Sequence, residues 1–318
     1  MTAGILIAWL LLASVGCHAQ GSAPVRAFDL EGHRGARGLA PENTLAAFRR
    51  ALDIGVGPDG TAGAGNGEQV AGVSDKLNPG AGLGRDAAGK WLTEPGPAIH
   101  SLAVEQLRRY DIGRLHPATR YAREFPEQRA SDGERFPTLR EALRLVGSAS
   151  TPVRLNIETK LTPDNAGDTV DAKTFVRLIL EAVSDAKLMD RVTIESFDWR
   201  TLLEAKRVAP DVPTSCLTIE STGMDTMAPA ADGKSPWHAG LRLSDYRSVP
   251  ALVAAAGCET WSMYWRNLTP ALVADAHAIG LKVLPWTVDS AADMQRLIDL
   301  GVDGIITDYP DRLRHVME

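Results

Sequence analysis

The feature that most constrains this chain is a regular exchange of short apolar runs for segments with helical spacing, sustained from residue 28 almost to the C-terminus. Strands are predicted over 28–33, 153–158, 192–196, 213–218, 259–263, 282–286 and 304–307. Helices are predicted over 44–55, 140–146, 174–188, 199–209, 249–256, 269–279 and 291–300. In the first helix Leu45, Phe48, Leu52 and Ile54 carry the apolar spacing. Repeated β-α units of this kind imply a parallel sheet. Seven strands are visible, and an eighth would close a barrel. At 318 residues the chain can bury one such barrel or two smaller domains.

The place for the missing strand is residues 57–84, directly after the first helix. Nine of those 28 residues are glycine, and no apolar alternation survives among them. Glycine at this density costs backbone entropy and offers no packing surface. The segment is therefore expected to be an irregular loop, with the second strand degenerate. Residues 85–135 are polar, with a short amphipathic piece at 101–110. They read as an insertion on the face where the strands end.

The N-terminus carries an apolar stretch over 4–15, followed by small and polar residues. It is too short to span a bilayer comfortably and reads as the core of an export leader over residues 1–20. Cleavage after Ala19 is one route. Lipidation at Cys17 within Ser14-Val15-Gly16-Cys17 is the other. The mature chain, a single domain over 26–318, is expected in the periplasm, free or lipid-anchored. Export would permit Cys216 and Cys258 to pair, but two cysteines define no framework, and both are expected as free residues of the apolar core. The net charge of −6 and the lack of any zinc-finger or basic-region pattern argue against nucleic acid as a partner. A membrane enters only through the possible anchor at Cys17.

Chemistry-bearing residues gather where strands end. His33-Arg34-Gly35-Ala36-Arg37-Gly38 closes the first strand, and Pro41-Glu42-Asn43-Thr44 follows. A histidine can move a proton near neutral pH, and an arginine fork matches phosphate oxygens. Glu42 is either a metal carboxylate or an exposed first-turn residue of the next helix. Alternation over Leu155-Asn156-Ile157-Glu158-Thr159-Lys160 sends Leu155 and Ile157 outward and Asn156, Glu158 and Lys160 into the barrel. Inward polar groups are costly unless they bind something. A carboxylate and an ammonium two residues apart suit metal ligation with phosphate charge stabilisation. The alternative is a buried ion pair. Trp286 is either core packing or a wall for a glycerol-like group, and Ser196-Phe197 either turn chemistry or ligand contact. Asp308 is expected to cap the following turn. His33, Glu158, Trp286 and Asp308 should all lie near one mouth of the barrel.

In order and spacing, His33-Arg34-Gly35, Pro41-Glu42-Asn43-Thr44, Pro137-Thr138-Leu139, Asn156 to Lys160, Ser196-Phe197, Trp286-Thr287-Val288 and Gly301 to Pro310 resemble the glycerophosphodiester phosphodiesterase family. The resemblance spans residues 30–312. It implies an α/β fold of TIM type, a (β/α)8 barrel with an inserted segment after its second strand. It also implies a divalent metal, Ca2+ or Mg2+, and hydrolysis of small glycerophosphodiesters to an alcohol and glycerol 3-phosphate. On this chain His33 and Lys160 would be catalytic, Arg34 and Trp286 would bind substrate, and Glu158 and Glu42 would serve the metal.

The family also carries a Glu-x-Asp pair on its second strand and then a His-Asp with a second catalytic histidine. Neither stands in residues 57–77, which hold Asp59, Glu68 and Asp75 but no histidine; the next histidine is His100. Compensating frameshifts across 57–84 or a pseudoenzyme would account for this, and the replacement of one whole block favours the frameshift. The activity of this chain is accordingly expected to be impaired. A non-catalytic phosphoester-binding protein is the alternative. A phospholipase of the same barrel type would need an apolar docking loop, of which residues 85–135 offer little.

Overall fold

A computed structural model describes residues 28–56, 60–64, 80–164, 167 and 169–318. Its eight strands are β1 (Asp29–Gly32), β2 (Gly60–Ala64), β3 (Arg154–Thr159), β4 (Val192–Ser196), β5 (Thr214–Thr218), β6 (Thr260–Met263), β7 (Lys282–Val283) and β8 (Gly304–Thr307). They form one parallel sheet in the order β7-β6-β5-β4-β3-β2-β1-β8. Hydrogen bonds from Asp303 N–H to the Val283 carbonyl (2.9 Å) and from Ile306 N–H to the Pro285 carbonyl (3.0 Å) join the two ends and close the barrel.

The helices are α1 (Leu45–Ile54), α2 (Val104–Leu107), α3 (Arg120–Glu124), α4 (Leu139–Gly147), α5 (Ala172–Asp185), α6 (Trp199–Val208), α7 (Val249–Ala255), α8 (Pro270–Ala278), α9 (Ala291–Asp299) and α10 (Pro310–Met317). Most begin at a side-chain cap: Thr44, Thr138, Asp171 and Ser290 each accept a backbone N–H of the first turn. Outward strand residues such as Leu155, Ile157 and Ile194 are fully buried in the layer between barrel and helices.

Three expectations are corrected. The second strand is present: Gly60–Ala64 pairs with β1 on one side and β3 on the other. A ladder is built from backbone N–H and C=O groups, which glycine has like any residue, and two flanking strands supply the template. Residues 57–59 and 65–79, the rest of the irregular segment, lie outside the described residues. Cys216 and Cys258 are not free but disulfide-bonded, with Cα atoms 6.0 Å apart. Cys216 lies on the outward face of β5, and Cys258 in the turn from α7 into β6. The seventh strand is shorter than predicted, because Pro285 has no N–H to give. Leu284 and Trp286 still donate to the carbonyls of Trp261 and Met263.

The leader, including Cys17, lies outside the described residues. The insertion carries a small apolar cluster, Ile99, Leu107 and Ile112, completed by Phe136 just past its end. It rests on the turn after β1, through Arg129 N–H to the Leu39 carbonyl (2.9 Å) and Gln128 Nε2 to the Arg37 carbonyl (2.8 Å).

Candidate active site

The turn after β1 sets the geometry of the site. His33 N–H donates to the Thr307 carbonyl of β8 at 2.8 Å, which fixes the strand end. Arg34 then adopts φ 53° and Gly35 φ 90°, a reversal that favours glycine. A Cβ at Gly35 would come within 2.7 Å of the α1 backbone at Ala47. The reversal thus lets α1 pack directly beneath the turn while the side chains of His33 and Arg34 face a cavity.

That cavity has a volume of about 340 Å³, and His33, Arg34, Glu158, Lys160 and Trp286 all line it. Five of the six residues singled out by sequence therefore meet at one mouth. Alternation placed Asn156, Glu158 and Lys160 as found. The Lys160 ammonium is paired with the Glu158 carboxylate. Lower in the lumen, Asn156 Nδ2 donates to Glu195 Oε2 (2.7 Å) and Glu31 Oε2 (3.1 Å). Burial, and then the Glu158 charge, push Glu195 up to about 7.

Glu42, the sixth, is not among the residues lining the cavity. Its carboxylate accepts Arg34 Nη1 at 2.8 Å and the Tyr121 hydroxyl. It steers the arginine from behind. Among the described residues no three histidine, cysteine or acidic side chains are grouped to hold a metal ion. Glu158 is at the cavity and Glu42 is engaged elsewhere, so the described donors do not by themselves fit a divalent ion.

Asp308 is the residue that sequence reasoning misassigned. The N-cap of α10 is Tyr309, without a side-chain cap bond. Asp308, 1% exposed, instead receives His33 Nδ1 at 2.8 Å and Arg37 Nε and Nη2 at 2.9 and 2.6 Å. Burial would raise its pKa, but the Arg37 charge and the His33 contact outweigh that and hold it below the usual carboxylate range. A carboxylate only accepts, so Nδ1 of His33 carries the hydrogen and Nε2 keeps its lone pair. Burial is the largest influence on His33 and brings it down to about 4, with Asp308 opposing and Arg37 and Arg34 assisting. The imidazole is neutral at neutral pH and fit to accept a proton. Arg37 was visible in the motif, but its role needed Asp308, 271 residues away. Tyr121 carried no sequence signal.

Fold and site together define a (β/α)8-barrel protein whose mouth is equipped to hold a phosphate ester beside a neutral histidine. The sequence profile of the glycerophosphoryl diester phosphodiesterase family matches residues 68–312. The chain belongs to that family, which generally uses a divalent metal and hydrolyses glycerophosphodiesters. A glycerophosphodiester phosphodiesterase of Caldanaerobacter subterraneus is 28% identical over 290 residues, covering 88% of this chain and 94% of the relative. The crystal structure of a putative glycerophosphoryl diester phosphodiesterase from Silicibacter pomeroyi superposes with TM-score 0.80 at 34% identity, covering 93% and 94% of the two chains. An Oleispira antarctica phosphodiesterase, in complex with the product sn-glycerol-3-phosphate, shares the fold, with TM-score 0.65 at 18% identity over 90% and 95% of the chains.

Proposed function

We propose that this chain binds small glycerophosphodiesters at the mouth and hydrolyses them slowly to an alcohol and glycerol 3-phosphate. The observation that carries this reading is the cavity in which neutral His33, backed by Asp308, faces Arg34, Lys160 and Glu158. Arg34 and Lys160 offset the charge of the phosphoryl oxygens. His33 Nε2 accepts the proton of the attacking nucleophile. The leaving alcohol needs a proton in return, and residues 57–77 lack the second histidine that the family uses for it. General acid–base groups contribute typically ~10²–10⁴-fold each. A chain with one such histidine falls short by about that factor.

The test is turnover of glycerophosphocholine by purified protein, stripped of metal and then supplied with Ca2+ or Mg2+. A variant with a Glu-x-Asp strand and a His-Asp restored after Val56 should be far faster. Turnover by the unrestored chain at the rate of the restored one, abolished by His33→Ala, would refute the impairment. The missing block also favours a second reading, a phosphoester-binding protein without turnover; it predicts glycerol 3-phosphate binding with no product formed. Export completes the proposal. It is supported by the apolar leader and by the Cys216–Cys258 disulfide, a bond that persists in oxidising compartments. Fractionation of expressing cells, with and without Cys17→Ser, tests the periplasmic and the lipid-anchored form.

A further inference from the structure

Arg34 faces the cavity, but what aims it stands behind the cavity wall. Glu42 Oε1 accepts Arg34 Nη1 at 2.8 Å, and Glu42 Oε2 accepts the hydroxyl of Tyr121. That hydroxyl in turn accepts Arg37 Nη1 at 3.1 Å. Arg37 clasps Asp308, which receives His33. One phenol therefore joins the guanidinium that meets phosphate to the groups that hold the imidazole. Tyr121 comes from α3, within the insertion, and neither it nor Glu42 is among the residues lining the cavity.

We propose that Tyr121 is a positioning residue for phosphate binding: its hydroxyl holds the Glu42 carboxylate in the orientation that aims Arg34 at the phosphoryl oxygens. The insertion then completes the site rather than covering it. This rests on the phosphoester reading of the same mouth. Chemistry fixes the direction of the bonds. A guanidinium only donates and a carboxylate only accepts, so the Tyr121 oxygen takes the Arg37 hydrogen and sends its own to Glu42. Burial, and then the Glu42 charge, raise the phenol above its ordinary value, so it keeps that hydrogen. A carboxylate left alone with an arginine favours the two-bonded fork. With Oε2 pinned by the phenol, Glu42 holds Arg34 through Nη1 and does not draw the whole fork onto itself.

The phenol is itself held in place. Thr119 caps α3 by accepting Ala122 N–H at 3.2 Å. Phe125 meets the Tyr121 ring edge to face at 5.2 Å, and the Arg37 guanidinium lies 4.7 Å over the Phe125 ring. Arg37 has two bonds to Asp308 that do not involve the phenol, at 2.9 and 2.6 Å. Loss of the hydroxyl is therefore felt through Glu42 and Arg34, and not through His33.

Calorimetric titration of the full protein with inorganic phosphate and with glycerol 3-phosphate tests the proposal in the parent, Tyr121→Phe, Glu42→Ala and the double variant. Phenylalanine keeps the ring and its contact with Phe125, so the fold is retained. Tyr121→Phe should weaken both ligands by about tenfold, the worth of one hydrogen bond to a charged group. The factor should be the same for both, since each offers Arg34 a phosphoryl group. In the Glu42→Ala background the same change should alter affinity by less than about twofold, because the route to Arg34 is gone. General loosening of the insertion would instead lower affinity equally in both backgrounds. Equal losses in the two backgrounds, unchanged affinity in Tyr121→Phe, or a loss confined to glycerol 3-phosphate would overturn this inference alone. Failure of the parent to bind either ligand would overturn the phosphoester reading and this inference with it.

Discussion

His238 gives the sharpest test of the electrostatics of this fold. Its ring is 1% exposed and stacks on Trp199 at 4.4 Å, and neither ring nitrogen has a hydrogen-bond partner among the described residues. Burial lowers it from 6.5 to about 4. Between those values the unfolded chain binds a proton that the folded chain refuses. Stability therefore falls as the pH falls through that window and levels off below about 4. From the two pKa values, the loss between about pH 7 and about pH 5 comes to about 2 kcal/mol for this one group. His238→Phe keeps the stacking ring and removes the titration. Urea unfolding at the two pH values should then show the variant losing about 2 kcal/mol less than the parent. His33 titrates with the same sign in both proteins and cancels in the comparison. Near pH 7 the variant should be at least as stable as the parent, because a buried unpaired polar group costs ~1–3 kcal/mol. Parallel pH dependences would refute the reasoning and mean that the ring reaches water or an acceptor.

Asp308→Asn leaves the Arg37 guanidinium buried beside a neutral amide, and should cost about 3–5 kcal/mol in urea unfolding. Opening the Cys216–Cys258 bond closes off no loop in the unfolded chain; for a separation of 42 residues the chain-entropy relation gives about 4 kcal/mol. Thermal melts with and without reductant, and of Cys258→Ser, should both show the loss; an unchanged melt would mean that the bond constrains nothing. Gly35→Ala puts a side chain at φ 90° against the α1 backbone and should cost about 1–3 kcal/mol, read by the same denaturation.

The strands at 192–196 and 304–307 coincide with their predicted ranges, and the inward set Asn156, Glu158 and Lys160 follows from alternation alone. Patterns of this kind are local. A period of two or 3.6 residues reports which side chains face a core, and nothing beyond the segment is needed to read it. The strand-end motif around His33 was legible for a similar reason, since its residues are neighbours in the chain.

What sequence could not supply were contacts between distant segments. β2 exists because β1 and β3 offer two hydrogen-bonding edges at the right spacing, a property of the closed sheet and not of residues 60–64. Asp308 reads as a turn residue until β8 is seen beside β1, where it meets His33 and Arg37. Glu42 carries the composition of a metal ligand, yet Arg34 and Tyr121 claim it once the insertion folds onto the turn. The two cysteines follow the same rule. Sequence by itself determined the alternating β-α order, the motif and the direction in which the residues of β3 point. Tertiary structure decided which partner each charged group takes, because that choice depends on distance and burial, which only the closed barrel defines.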